Sequence, residues 1–137
     1  MPFKPEEIQN MRDMLMKSIE DLHKEKSNAG VKWKEILKNL NVTVNFEIMG
    51  PDFKESAGFI NANFQEGNLS IKEGKSSKAL IEFKAPLMNF FQYSSNEISL
   101  LGALFGKLKI KGKRHLLTLM KVANLLRVIP EDKLMKQ

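Results

Sequence analysis

The run from Gly106 to Leu126, GKLKIKGKRHLLTLMKVANLL, constrains the fold more than any other part of the chain. Leu108 and Ile110 alternate with Lys107, Lys109 and Lys111, the period of a strand with one buried and one charged face. Gly112 ends that strand, and a helical pattern begins near Lys113. On a helical wheel Leu116, Leu119, Met120, Val122, Ala123 and Leu126 span roughly 160°, against the ~100° stripe that a surface helix needs. Leu117 and Leu125 lie outside even that arc. One sheet face is too narrow to cover so much apolar surface. A second apolar body must cover the rest, and a lipid is one candidate.

The segments before it supply a sheet. Lys4-Pro5-Glu6-Glu7 opens a helix, with proline in the first turn and acids at the positive end of the dipole. Ile8, Met11, Leu15, Ile19 and Leu22 then recur at helical spacing until Ser27-Asn28-Ala29-Gly30. A second helix carries Trp33, Ile36, Leu37 and Leu40 on one face. The polar face of the first helix holds Glu6, Asp13, Glu20 and Asp21 beside its lysines, which favours packing on its own domain over anchoring to a membrane. From Asn41 the period falls to two: Val42, Val44, Phe46 and Ile48, then Ile60, Ala62 and Phe64 after a loop from Gly50 to about Gly58. Gly67-Asn68 signals a hairpin to Leu69 and Ile71, and Ala79, Ile81 and Phe83 give a fourth strand. With the strand at Lys107 to Lys111 there are five, predicting an α+β fold: a five-stranded, largely antiparallel sheet with one buried face.

Between the fourth and fifth strands the chain is least polar. Pro86 begins a short helix with Leu87, Met88, Phe90, Phe91 and Tyr93, and Ser94-Ser95-Asn96-Glu97 offers cap chemistry for another. In that next helix Ile98, Leu100, Leu101, Ala103, Leu104 and Phe105 lie all round the wheel, so it is either enclosed in core or faces a greasy ligand.

The chemistry that remains open is narrow. The 137 residues suit one core, and there is no cysteine for a disulfide or a thiolate. His23 and His115 have no partner at ligand spacing, and no Gly-x-Ser-x-Gly elbow occurs, so no enzyme, metal or cofactor is expected. The net charge of +6 favours anionic membrane surfaces weakly. The basic residues are dispersed and the aromatics sit inward, unlike a nucleic-acid platform. No run approaches the ~20 apolar residues of a membrane span, and neither Met1 to Lys17 nor the last residues read as an address, so the expected location is cytoplasmic.

Gly106-Lys-Leu-Lys-Ile-Lys-Gly112 followed by an apolar helix resembles the last strand and helix of the sterol carrier protein 2 sterol-transfer domain. Ala79 to Phe83 running into Leu87 to Phe91, and the apolar Ile98 to Phe105, resemble the elements that precede them in that family. The resemblance covers about Val42 to Leu126. Lys113-Arg114 stands where the family often has an acid, and Tyr93-Ser94-Ser95 where it often has glycine and aspartate. The resemblance implies helices packed on one sheet face around an apolar tunnel for fatty acids, fatty acyl-CoA or sterols. Residues 41–137 are then expected to be the lipid-binding domain, and residues 1–40, beyond the matched region, are expected from their charge pattern to be a helical pair packed on it.

The expected site follows from the inward positions. Phe46, Ile48, Phe64 and Phe83 form a floor, Phe90, Phe91, Leu101, Leu104 and Phe105 a wall, and Leu116, Met120 and Ala123 a lid. Burying a ~16-carbon tail at ~0.8 kcal/mol per methylene gives roughly 13 kcal/mol gross, whereas a lysine beside anionic lipid gives only ~1 kcal/mol. The expected function is therefore non-enzymatic lipid binding and transfer, governed by the tail. The rival reading is an accessory module whose apolar helices bind a protein partner or a second copy of the chain.

Overall fold

The computed structural model describes residues 3–99, 109–112 and 114–129. Helix α1 spans Pro5–Ser27, with Pro5 in its first turn, Glu6 and Glu7 at its positive end and Lys24 and Lys26 at its negative end. Its buried stripe is Leu15, Ile19, Leu22 and Lys26. Helix α2, Val31–Lys38, follows Gly30 and buries Leu37. The strands are β1 (Val42–Met49), β2 (Ser56–Gln65), β3 (Asn68–Glu73), β4 (Ile81–Pro86) and β5 (Lys109–Lys111). Helix α3 is Leu87–Ser94, entered directly from Pro86, and α4 is Leu116–Leu125.

The five strands form one sheet in the order β3-β2-β1-β4-β5. Three of its four pairings are antiparallel, and β1 with β4 is parallel. Register sets the inner face: Ile60, Phe46, Phe83 and Ile110 are neighbours in one row, and Ile71, Ala62, Val44 and Ile81 in the next. Alternate residues on the other face carry ion pairs, Lys84 with Glu47 at 3.7 Å and Lys111 with Glu82 at 3.6 Å, and Lys75 from the segment after β3 joins Glu82 at 3.6 Å. The two-residue period thus sorts one apolar from one charged face. Buried Asn45 stands among the latter, donating to and accepting from the backbone of Ser76 at 2.9 Å, which pins the turn before β4.

Helix α1 packs on β2 and β3 and touches α2 and α4, while α3 packs on β4. Leu15 and Ile19 of α1, Leu37 and Leu40 from the α2 region, the inner strand residues and Leu119, Val122, Ala123, Leu125 and Leu126 belong to one buried cluster. Phe46 lies at its centre, stacked on Phe83 at 5.5 Å and met edge-on by Phe90 at 5.9 Å. At the two sheet margins, Gln9 and Arg12 of α1 hold Glu73 of β3 at 2.6 and 3.8 Å, and Lys109 of β5 covers the Phe53 ring at 5.1 Å.

Candidate functional site

An open groove of about 570 Å³ runs between α1 and α3, lined by Met14, Lys17, Ser18, Asp21, Leu22, Glu25, Phe91, Ser94, Ser95 and Val128. Beneath it lies an internal cavity of about 20 Å³ bounded by Leu15, Ile19, Phe46, Phe83, Phe90, Tyr93 and Leu126. Ser18 and Ser94 border both spaces. Two small side chains therefore separate the groove from the aromatic centre of the core. The groove volume falls within the roughly 300–1,000 Å³ of small-molecule sites.

The residues expected to line a tunnel are divided among different environments. Phe46, Ile48, Phe64, Phe83 and Phe90 are buried in close packing, and Phe91 is half-buried in the groove wall. Ala123 is buried, whereas Leu116 is 59% and Met120 42% exposed on the outer side of α4. Leu101, Leu104 and Phe105 lie outside the described residues. Among the described residues a through-running tunnel is not enclosed; the space over the sheet holds the small cavity instead. Leu15 and Ile19 of α1 border that cavity together with Phe46 and Phe83.

Met14 and Ser18 of the groove escape the sequence reading because, four apart, they lie beside the expected stripe and meet it only at Leu22. Met14, off the main stripe and 52% exposed, was the signal. Lys26 is a clearer omission. It continues the spacing of Leu15, Ile19 and Leu22, and its side chain is fully buried. Its ammonium donates to Glu25 and to the Arg127 carbonyl, and lies 5.7 Å from the Trp33 ring centre. Burial lowers its pKa against the opposing pull of Glu25.

The same junction holds the segment after α4. Val128 donates its N–H to the Ser94 carbonyl at 2.8 Å, Asn96 donates its amide to the Val128 carbonyl at 2.9 Å, and Ile129 donates to Glu25 at 3.3 Å. Nearby, the Tyr93 hydroxyl donates to the Ala123 carbonyl at 2.9 Å, in the last turn of α4. Burial pushes its pKa up to about 12, with the Arg127 guanidinium 5.2 Å from its ring pulling the other way. His23 contacts the Gly67 carbonyl at 3.1 Å, and burial lowers its pKa. No group of three or more acidic or histidine side chains that could hold a metal occurs among the described residues, and no described helix is long and apolar enough to cross a membrane.

No protein-family model and no curated protein sequence matches the chain. Solved structures do. The solution structure of sterol carrier protein domain 2 of Helicoverpa armigera superposes with a TM-score of 0.65 at 18% identity, over 95% of this chain and 98% of that one. The apo form of sterol carrier protein 2 from Yarrowia lipolytica gives 0.58 at 22% identity, over 82% and 86%. A stereoselective inverting sec-alkylsulfatase from Pseudomonas sp. gives 0.56 at 18% identity over 71% of this chain, which spans only 14% of the enzyme. The superpositions cover most of both chains: the chain is an α+β domain with the sterol carrier protein 2 fold.

Proposed function

We propose that the chain is a non-enzymatic lipid-binding and lipid-transfer domain of the cytoplasm, taking fatty acids, fatty acyl-CoA or sterol-like molecules. The observation that carries this reading is the apolar groove between α1 and α3, with the Phe46–Phe83–Phe90 cavity directly behind Ser18 and Ser94. A tail lying between Met14, Leu22, Phe91 and Val128 meets mostly carbon, and each methylene removed from water contributes about 0.8 kcal/mol. Separation of Ser18 from Ser94 would lengthen that path into the core, onto the Phe46, Phe83 and Phe90 side chains expected as its floor and wall. The net charge of +6 favours transient contact with an anionic membrane surface during loading, while Lys17 in the groove lining is paired with Asp21 at 3.6 Å.

The test is lipid extraction of the purified protein followed by mass spectrometry, with Met14→Asp and Phe91→Asp as groove variants. Met14 is half-exposed, so its substitution spares the core. Co-purified lipid that both variants lose is expected; full occupancy in both overturns the assignment of this groove. A second reading rests on the exposed Leu116, Leu117 and Met120 of α4, an apolar strip suited to a protein partner or a second copy. Light scattering of the delipidated protein, with Leu117→Asp as control, distinguishes that accessory role: a stable oligomer abolished by the substitution favours it.

A further inference from the structure

On the other side of the α1 C-terminus from the groove lies a second concavity, of about 440 Å³, between α2 and the end of α4. Its lining contains Lys26, Lys32, Lys121 and Arg127, with Trp33, Asn96 and Asn124, and no carboxylate among the described residues. Glu25 engages Lys26 from outside the lining; with that pair set aside, three cations still face one concave space. Like charges gathered in a cleft repel one another and raise the local potential, an arrangement that an anion relieves. The cleft is also held in shape. Lys26, Glu25, Ser94 and Asn96 each make a hydrogen bond to the backbone of residues 127–129, so little ordering remains when a ligand arrives.

We infer that this cleft is a binding site for a phosphate-bearing anion. Tetrahedral phosphate presents several charged oxygens at once, and so accepts from the ammonium groups of Lys32 and Lys121 and the guanidinium of Arg127 together. A single carboxylate presents two oxygens and leaves part of that charge unanswered. Asn96 and Asn124 add neutral polar walls, and Trp33 an apolar one, so the site suits a phosphate attached to an organic body as well as free phosphate. The source of the phosphate is either a lipid headgroup or a soluble anion.

Trp33 is the sole tryptophan of the chain and stands in the cleft wall, which provides the assay. Sodium phosphate, titrated against sodium chloride of equal ionic strength, is expected to change its emission saturably. Lys32 and Lys121 are both exposed, so Lys32→Gln/Lys121→Gln should fold normally and bind phosphate roughly tenfold more weakly or worse. Lys78→Gln, an exposed lysine outside the cleft, should leave the affinity unchanged. Sedimentation with phosphatidic acid in phosphatidylcholine vesicles, against phosphatidylcholine alone, separates the sources. Pelleting that needs Lys32 and Lys121 assigns a headgroup, and a phosphate response without pelleting assigns a soluble anion. No saturable response to phosphate and no such pelleting overturns the inference, as does an equal loss in Lys78→Gln. Met14→Asp, which strikes the groove, should keep the phosphate response, so this site and the lipid reading stand or fall separately.

Discussion

Tyr93→Phe removes one oxygen from the point where α3 meets α4, and its effect changes sign with pH. The hydroxyl is buried and donates to the Ala123 carbonyl, an acceptor in the terminal turn of α4. Phenylalanine keeps the ring over Arg127 and leaves that carbonyl unsatisfied, which costs about 1–2 kcal/mol at neutral pH. In alkali the direction reverses. The folded-state pKa of about 12 stands above the ordinary 10.0, so the folded protein holds the phenolic proton that the unfolded chain releases. The contribution of Tyr93 is therefore complete below pH 10 and is lost as the pH rises through 12. At about 1.4 kcal/mol per pH unit, the loss approaches about 3 kcal/mol by pH 12. Wild type should be the more stable protein at neutral pH, the two should match near about pH 11, and the variant should lead above it. Urea denaturation across this range, read by Trp33 emission, gives the difference directly, with the lysine titrations common to both cancelling. Tyr93 is the only tyrosine, so the tyrosinate absorbance of the folded protein reports its ionisation without ambiguity. Ionisation of the folded protein near pH 10, or the same alkaline loss in both proteins, would refute the reasoning.

Lys26→Met tests the buried ammonium. Its pKa is lowered from 10.5, so between the lowered value and 10.5 the unfolded chain binds the extra proton and stability rises with pH. The stability of wild type relative to Lys26→Met should grow through that window in urea denaturation; a constant difference would show that Glu25 fully compensates the burial. Gly112→Ala should separate β5 from β4, because its φ is +95° and the Leu80 carbonyl occupies the place of the new Cβ. Gly67→Ala, at φ +90° with nothing within 4 Å, meets backbone strain alone, of order 1 kcal/mol, and should be clearly the milder change in thermal denaturation.

The sheet was legible wherever a residue's own neighbours decide its face. Val42, Val44, Phe46 and Ile48 alternate with polar residues and lie inward, and the hairpin from β2 to β3 forms, with its turn at Glu66-Gly67, one residue before the expected Gly67-Asn68. Pairings between distant segments left no such local trace. The sheet is largely antiparallel as expected, but nothing local marks the one parallel pairing, in which β4 returns alongside β1 with Val44 beside Ile81. Ladder hydrogen bonds come from the backbone, so composition carries no record of which strands share them. The site was legible only in part for a related reason. A periodic apolar stripe marks α1 as packed but not what it packs on, and Leu15 and Ile19 bordering one cavity with Phe46 is a tertiary fact. By type and position Lys26 suits a dipole partner at a helix end; only its place on the stripe of Leu15, Ile19 and Leu22 marks it as interior.

Gln9 and Arg12 on Glu73, and the lysines Lys109 and Lys111 on β5, have a consequence for behaviour at high concentration. A flat, uncharged outer strand invites a neighbouring molecule to continue the ladder, and charge, brevity or cover prevents it. Both flanks of this sheet carry such a guard. Fibrillar stacking through them is disfavoured.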